Sequence, residues 1–185
     1  MTVADYVLQH QKGAVVSNLS SSRALGDIAK KYGCEYHASA VGEVNVVAKM
    51  KATKAVIGGE GNGGIIDPEL HYGRDSLIGV ALVLSHMVRS QMTINELRNG
   101  YPHYEMVKDK LVLDPTWDIT TKLEGLTEQY KNEKISTIDG LKIDFADGWV
   151  HLRKSNTEPI IRIYAEANDQ QKAQAMVDQI KGDFL

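Results

Sequence analysis

The pattern of hydrophobic residues changes about two thirds of the way along the chain, and this change limits the possible folds. In the first hundred residues, short apolar runs at 14–19, 35–41 and 55–57 alternate with helical periodicities. Strands separated by helices favour a parallel sheet. Residues 134–166 instead contain four short strand candidates, and Asp-Gly pairs between them are typical of antiparallel hairpins. The sequence therefore predicts an α/β domain followed by a smaller α+β domain.

We place the first domain at 1–105, with three layers and a mixed, mainly parallel sheet. Residues 106–118 are predicted to be a linker, and residues 104–113 are expected to be extended. The second domain, at 119–185, is predicted to have a four-stranded antiparallel sheet with flanking helices. In the first domain, residues 74–90 carry apolar side chains around much of the helical circumference, which predicts a helix buried on more than one side.

Composition excludes several classes of protein. The 185 residues include 21 Lys and Arg against 24 Asp and Glu, a net charge of −3, so there is no positive excess for non-specific nucleic-acid binding. Cys34 is the only cysteine, which rules out an intrachain disulfide and makes a reducing cytoplasm the simplest location. The first ten residues are too short an apolar stretch for a membrane span and do not fit a signal peptide.

A segment rich in hydrogen-bond donors lies between the last two strand candidates. Arg153 and Arg162 enclose Ser155, Asn156 and Thr157. Arginine presents a planar fork that matches phosphate oxygens, and the short polar side chains add neutral donors. This composition favours a phosphate-binding loop, and the fold-back of the two strands is expected to bring both guanidinium groups near one anion.

The same segment also fits a hairpin loop without a ligand. In that case Ser155 and Asn156 hydrogen-bond the backbone, and Arg162 pairs with Glu166 on the same face of its strand.

A second candidate site is the glycine-rich loop at 58–64, which follows the third strand candidate. Ligands of parallel sheets gather at the carboxyl ends of strands. Glu60 and Asn62 are the functional side chains of this loop, and a carboxylate with an amide suits vicinal sugar hydroxyls. The loop lacks the Walker A lysine and the spacing of a dinucleotide fingerprint. The alternative is a plain turn with an exposed glutamate.

Together, these motifs resemble the α-D-phosphohexomutase superfamily, which includes phosphoglucomutase, phosphomannomutase and phosphoglucosamine mutase. The segments are Val41-Gly42-Glu43, Gly59-Glu60-Gly61-Asn62-Gly63-Gly64 and Arg153-x-Ser-Asn-Thr-Glu-Pro-x-x-Arg162, and the resemblance covers essentially all of the chain. Members have four domains, and this chain resembles only the third and fourth.

The resemblance implies the C-terminal, substrate-binding part of an enzyme that interconverts hexose 1-phosphate and hexose 6-phosphate through a bisphosphorylated sugar. A Thr-Ala-Ser-His-type serine segment and an Asp-Gly-Asp-x-Asp-Arg metal loop do not occur in the sequence. The fragment alone is therefore expected to be inactive, with the phosphoserine and Mg²⁺ in domains that are absent here. The implied partners are a hexose phosphate and the N-terminal domains of the same polypeptide, with no nucleic acid and no membrane. A free-standing sugar-phosphate-binding module is the alternative, and a purely structural domain is a third possibility.

The resemblance also assigns roles to individual residues. No residue of this chain is assigned to catalysis or to metal binding. The implied sugar-binding residues are Glu60, Asn62 and Glu43, and the implied phosphate-binding residues are Arg153, Ser155, Asn156, Thr157 and Arg162.

Three positions depart from the pattern that many members share. Asn62 and Gly64 stand where those members have serine and histidine, and Ser20 stands where a sugar-site lysine is expected. An acidic residue at Glu43 resembles phosphoglucosamine mutases, where it would face an amino sugar, but a structural role fits equally well. Arg74 and Asp75 favour helix capping and ion pairing, and the histidines His37, His71, His103 and His151 favour packing or solvent-exposed roles.

Overall fold

The computed structural model describes residues 1–155 and 157–185. The described residues form two compact units, Met1–His103 and Tyr104–Leu185. Each unit has its own β-sheet and its own hydrophobic core. In the described part of the chain, no helix has the length and apolar character needed to cross a lipid bilayer.

Helices and strands alternate along most of the first unit. In chain order they are α1 (Thr2–His10), β1 (Val15–Asn18), α2 (Ala24–Lys31), β2 (Tyr36–Ser39), α3 (Glu43–Thr53), β3 (Ile57–Gly59), β4 (Ile65–Ile66), α4 (Ser76–Ser90) and α5 (Ile94–Asn99). The predicted strands and the helices between them therefore form in the predicted order. Gly33 follows α2 with φ of 66°, a left-handed conformation that ends a helix and favours glycine.

The sheet of the first unit has the strand order β2-β1-β3-β4. β1 is parallel to both neighbours, with Val15 opposite Tyr36 and Ile57, whereas β4 is antiparallel to β3. This confirms the predicted mixed, mainly parallel sheet. Because β1, β2 and β3 run in one direction, the loops that follow them emerge at the same edge of the sheet.

A buried carboxylate joins the helices of the first unit. Asp5 of α1 accepts hydrogen bonds from the Tyr32 hydroxyl at 2.7 Å, Lys31 Nζ at 3.1 Å and the Tyr101 hydroxyl at 3.1 Å. Burial raises the pKa of Asp5, but the hydrogen bonds from Tyr32 and Lys31 outweigh it, so the pKa lies below its ordinary value. The ionised carboxylate thus ties α1 to the end of α2 and to the segment after α5.

Helix α4 is buried along one face only, so the prediction of burial on more than one side is wrong for this chain. Gly79 and His86 are buried, and Met87 packs against the core as expected. α1 and β4 cover this face of the helix. The opposite face is exposed and carries the apolar side chains of Leu77, Val80, Leu84 and Val88.

The second unit consists of an antiparallel sheet and two helices. In chain order its elements are β5 (Glu105–Val112), α6 (Ile119–Gln129), β6 (Lys134–Ser136), β7 (Leu141–Asp144), β8 (Gly148–Lys154), β9 (Ile160–Ala167) and α7 (Gln170–Phe184). The strand order is β5-β9-β8-β7-β6, and every neighbouring pair is antiparallel. The predicted α+β class is confirmed.

The number of strands in this sheet is five rather than the predicted four, because the first part of the expected linker at 106–118 is a strand. β5 pairs with β9 along its whole length, from Glu105 opposite Ala167 to Val112 opposite Ile160. Val107 and Leu111 on β5 pack against the core. Lys108, Asp109 and Lys110 interrupt the apolar pattern of this strand, and its partner β9 is distant in sequence, so the strand is hard to recognise from local pattern.

The core of the second unit lies between one face of the sheet and α7, with α6 beside it. Buried side chains from the strands meet those from α7, and the main ones are Ile143, Val150, Leu152, Ile163, Val177, Ile180 and Phe184. Gly140 precedes β7 with φ of 77°, as the Asp-Gly signal for a tight turn predicts. The opposite face of the sheet carries mostly polar and charged side chains, together with the buried Trp149.

Candidate functional site

The glycine-rich loop closes a tight turn between β3 and β4. The Glu60 backbone N–H donates to the Gly64 carbonyl at 2.9 Å, and the Gly63 N–H donates to the Glu60 carbonyl at 3.1 Å. Gly63 has φ of 93°, and a Cβ at Gly59 would overlap the Gly64 carbonyl oxygen. Glycine is therefore required here for the backbone to turn. The loop lies at the carboxyl end of β3, where the parallel topology predicts a ligand.

The Glu60 carboxylate is held on both oxygens. Asn18 Nδ2 donates to Oε1 at 3.0 Å, and an Arg74 terminal nitrogen lies 3.1 Å from Oε2. The Glu60 side chain is only 7% exposed, so the alternative of a turn with an exposed glutamate is wrong at this position. Asn62 is exposed, and its Oδ1 accepts from the Gly64 N–H at 3.4 Å. Each oxygen of the Glu60 carboxylate has a further lone pair that can accept a hydrogen bond from a ligand hydroxyl.

Asn18 is fixed by its own neighbours. Its Oδ1 accepts from the Ser20 backbone N–H at 3.1 Å and from Ser21 Oγ at 2.9 Å. The amide nitrogen is thereby directed to Glu60. Asn18 is the last residue of β1, and β1 is adjacent to β3 in the sheet, so the sheet order brings the two side chains together.

Arg74 links the two candidate carboxylates of the first unit. Its backbone N–H donates to Glu43 Oε1 at 3.1 Å and its Nε to Glu43 Oε2 at 2.8 Å, while a terminal nitrogen pairs with Glu60. These hydrogen bonds hold the pKa of the Glu43 carboxyl below its ordinary value. A Cβ at Gly64 would lie 3.0 Å from Arg74 Cγ and overlap Cδ, so glycine at position 64 leaves room for the arginine.

Sequence reasoning had not assigned Asn18 or Arg74 to this site. The capping role of Asp75 is confirmed, since its carboxylate accepts from the N–H groups of Leu77 and Ile78 at 2.8 and 3.0 Å. The ion pairing of Arg74 is confirmed as well, but its partners lie in the candidate site. The sequence signal for Asn18 was its position, since it is a polar residue at the end of a buried strand.

The donor-rich segment of the second unit connects β8 to β9. Arg153 on β8 is directly opposite Arg162 on β9, and Arg162 is opposite Lys110 on β5. Directly opposed residues project from the same face of a sheet. The row places three cations side by side, and the carboxylates of Asp139 and Glu158 pair with its two arginines. Lys110 was not among the predicted site residues.

The Arg153 guanidinium has a fixed orientation. Its Nε lies 3.0 and 3.1 Å from the two carboxylate oxygens of Asp139, which precedes β7. Both side chains are largely covered, at 28% and 20% exposure. Charge-assisted contacts of this kind immobilise the planar fork before any ligand arrives.

Short hydroxyl side chains begin the loop beyond Arg153. Ser155 is buried, and its N–H donates to the Ile160 carbonyl at 2.9 Å. Its Oγ lies 3.4 Å from both the N–H and the hydroxyl of Thr157. The predicted phosphate contact at Asn156 lies outside the described residues. Ser155 and Thr157 are therefore adjacent at the end of the strand that carries Arg153.

Arg162 pairs with Glu158 at 3.3 Å on the exposed side of the loop. The alternative that paired Arg162 with Glu166 on the same face of the strand is wrong, because Glu166 is buried and accepts from the Trp149 indole N–H at 2.9 Å.

Across 1–155 and 157–185, no three His, Cys, Asp or Glu side chains are grouped so that they could hold a metal ion. His151 is buried, with Nε2 2.7 Å from the Asp139 carbonyl, and burial lowers its pKa.

Comparison with known proteins gives a family for both units. The model "Phosphoglucomutase/phosphomannomutase, alpha/beta/alpha domain III" matches residues 1–104, and "Phosphoglucomutase/phosphomannomutase, C-terminal domain" matches 108–182. A phosphoglucomutase/phosphomannomutase of Thermococcus kodakarensis is 38% identical over 178 residues, which cover 95% of this chain and 39% of that protein. A phosphoglucosamine/phosphogalactosamine mutase of Sulfurisphaera tokodaii is 35% identical over 169 residues, or 90% of this chain and 37% of that protein.

Solved structures share the fold. A phosphoglucomutase/phosphomannomutase family protein of Burkholderia thailandensis has a TM-score of 0.78 at 22% identity, covering 98% of this chain and 39% of that one. The N-acetylphosphoglucosamine mutase of Aspergillus fumigatus, in complex with GlcNAc-6P and magnesium, has a TM-score of 0.65 at 15% identity, with 98% and 45% covered. The chain thus spans 37–45% of the length of these four proteins.

Proposed function

This chain belongs to the phosphoglucomutase/phosphomannomutase family, and on that premise we propose that it is the C-terminal, substrate-binding part of a phosphohexomutase. The reaction of the intact enzyme is the interconversion of a hexose 1-phosphate and a hexose 6-phosphate through a bisphosphorylated sugar. A cytoplasmic location belongs to the same proposal.

The proposal divides the functional groups between this chain and the remainder of a longer polypeptide. This chain covers 39% of the Thermococcus kodakarensis relative, and it contains neither the serine segment nor the Asp-rich loop expected of the family. The proposal therefore assigns the phosphoserine and the magnesium ion to the remainder of a longer protein. Phosphoryl transfer depends on positioning and charge neutralisation, and this chain contributes positioning. Alone, it is expected to bind without catalysing.

In the first unit, Glu60 accepts hydrogen bonds from sugar hydroxyls. The Asn18 and Arg74 contacts fix its carboxylate, so little side-chain freedom is lost when a hydroxyl binds. Asn62 is exposed in the same loop and contacts the same sugar. Glu43 belongs to the same site, but both of its oxygens already accept from Arg74, which favours the structural role over direct contact with an amino sugar.

In the second unit, Arg153, Ser155, Thr157 and Arg162 bind the phosphate that is distal to the chemistry, with Asn156 assigned on sequence alone. The direct opposition of Arg153 and Arg162 is the single observation that carries this part of the proposal, since it places two guanidinium groups on one face of the sheet beside the hydroxyl groups of the loop. Asp139 orients one of the two guanidinium groups without contacting the ligand.

Activity measurements on the longer reading frame test the proposal. We expect that polypeptide to interconvert the phosphates of at least one sugar in a panel of glucose, mannose and glucosamine, and we expect this chain to convert none. Magnesium removal should abolish the activity of the longer protein. A reading frame without an upstream serine and Asp-rich loop would contradict the proposal, and phosphate binding by the chain would then support the stand-alone binding module.

A further inference from the structure

Helix α4 exposes a continuous apolar face. The side chains on this face, which we call the α4 stripe, are spaced at three, four and four residues and therefore lie along one side of the helix. The α4 stripe consists of Leu77 (79% exposed), Val80 (56%), Leu84 (54%) and Val88 (77%).

The composition of α4 does not fit contact with water on that side. Of the fifteen residues in Ser76–Ser90, only His86 and Arg89 carry a titratable side chain, and His86 is buried. A surface helix ordinarily has a polar outer face, whereas a helix that is apolar all round is buried. Contiguous exposed apolar side chains mark an interaction surface in a soluble protein. The sequence pattern therefore indicates burial that this chain alone does not provide.

We propose that the α4 stripe is a docking surface for the part of the polypeptide that lies outside this chain. This inference rests on the proposed function, in which the chain is one part of a longer enzyme. The matched relative in Thermococcus kodakarensis leaves about three fifths of its length unmatched, while 95% of this chain is aligned. The occupant presents a complementary apolar surface, because the α4 stripe offers no charge with which to pair.

A second copy of this chain is a poorer occupant. A stable protein–protein interface buries about 800 Å² on each partner. Four aliphatic side chains on one helix supply only part of that area. A covalently connected segment needs a smaller interface, because linkage makes its docking intramolecular.

Thiol labelling tests the inference directly. Leu84 and Leu70 have matched exposures, 54% and 55%, and Leu70 lies outside the α4 stripe. Leu84→Cys and Leu70→Cys are introduced separately into a Cys34→Ala background, both in the 185-residue chain and in the longer polypeptide. Labelling of each cysteine by a maleimide is followed by mass spectrometry of the peptide that contains it.

In the chain, both cysteines should label at similar rates. In the longer polypeptide, Leu84→Cys should label at least about tenfold more slowly, because access then requires the docked surfaces to open, whereas Leu70→Cys should not change. Equal labelling of Leu84→Cys in the two proteins would overturn the inference, as would a reading frame that encodes this chain alone. Slower labelling at higher concentrations of the chain would also overturn it, in favour of self-association. Protection of Leu84→Cys in a protein without mutase activity would leave the inference standing and refute the proposed function.

Discussion

Replacement of Arg153 by alanine should weaken phosphate binding strongly. The residue is one of two guanidinium groups on the same sheet face, and Asp139 fixes its Nε at 3.0 Å. A hydrogen bond to a charged group contributes about 1.5–3 kcal/mol, which corresponds to an affinity loss of roughly 10- to 150-fold. Preorganisation places the expected value toward the upper part of this range, because the fork is already ordered before the ligand binds.

A second effect adds to the loss. In Arg153→Ala the Asp139 carboxylate is no longer neutralised by Arg153 and repels the phosphate, which costs up to about 1 kcal/mol near water. The double variant Arg153→Ala, Asp139→Asn should recover only the part of the binding free energy that is lost through this repulsion. Arg153→Lys keeps the charge but loses the planar fork, so its affinity should lie between those of the wild type and Arg153→Ala.

The assay is an NMR titration of the 185-residue chain with glucose 1-phosphate, following the amides of residues 153, 155 and 157. Arg98→Ala is the matched control, since Arg98 is exposed on α5 and contacts His103 rather than either candidate site. An amide spectrum that stays dispersed shows that each variant is folded. If Arg153→Ala binds within about threefold of the wild type, less than 1 kcal/mol, the phosphate role of Arg153 is refuted.

Three further predictions concern other parts of the chain. Gly64→Ala should displace Arg74, because the new Cβ overlaps the arginine side chain, and the pKa of Glu43 should then rise toward its ordinary value in a carbon-detected pH titration; an unchanged pKa would contradict the described contact. Asp5→Asn should lower the free energy of unfolding by about 1–3 kcal/mol near neutral pH in urea titrations. The folded-state pKa of Asp5 is depressed, so the wild type should keep this stability above the ordinary pKa of 3.8 and lose it as the pH falls further. A difference in unfolding free energy between wild type and Asp5→Asn that stays constant through that range would refute the prediction. Gly140→Ala should cost at least about 2 kcal/mol by the same measurement, since φ of 77° is left-handed and the Cβ would overlap a carbonyl oxygen of β8; equal stability would show that the turn can relax.

Local patterns were sufficient to predict most elements of the fold. Short apolar runs gave β1 and β3, and Asp-Gly pairs gave the turns beside β7, because these signals depend on neighbouring residues. β5 was missed for a physical reason. Its alternation is interrupted by charged side chains, and its partner β9 begins almost fifty residues later, so only the folded sheet shows that its backbone is paired.

The residues of the candidate site also fall into two groups, those that the local sequence predicts and those that only the fold brings together. Glu60 was predicted from the loop in which it lies, since glycines and one carboxylate are visible within seven residues. Asn18 is 42 residues away from Glu60, and Arg74 is 31 residues away from Glu43. These contacts exist because the parallel strand order brings separate loops to one edge of the sheet. A sequence without an alignment gives no sign that such residues are neighbours.

The two errors in the fold prediction have opposite causes, and exposure distinguishes them. For β5, the prediction assigned too little structure, and the missing partner is inside the chain: Val107 and Leu111 pack against the core of the second unit. For α4, the prediction assigned too much burial, and the apolar residues that should be covered are in contact with water. The apolar positions of a helix reflect which of its faces are buried in the functional protein. The surface that buries them can belong to any segment of that protein. A pattern that exceeds the burial available within 185 residues supports the proposed docking surface, and the relatives of Thermococcus kodakarensis and Sulfurisphaera tokodaii have the additional length that could supply its partner.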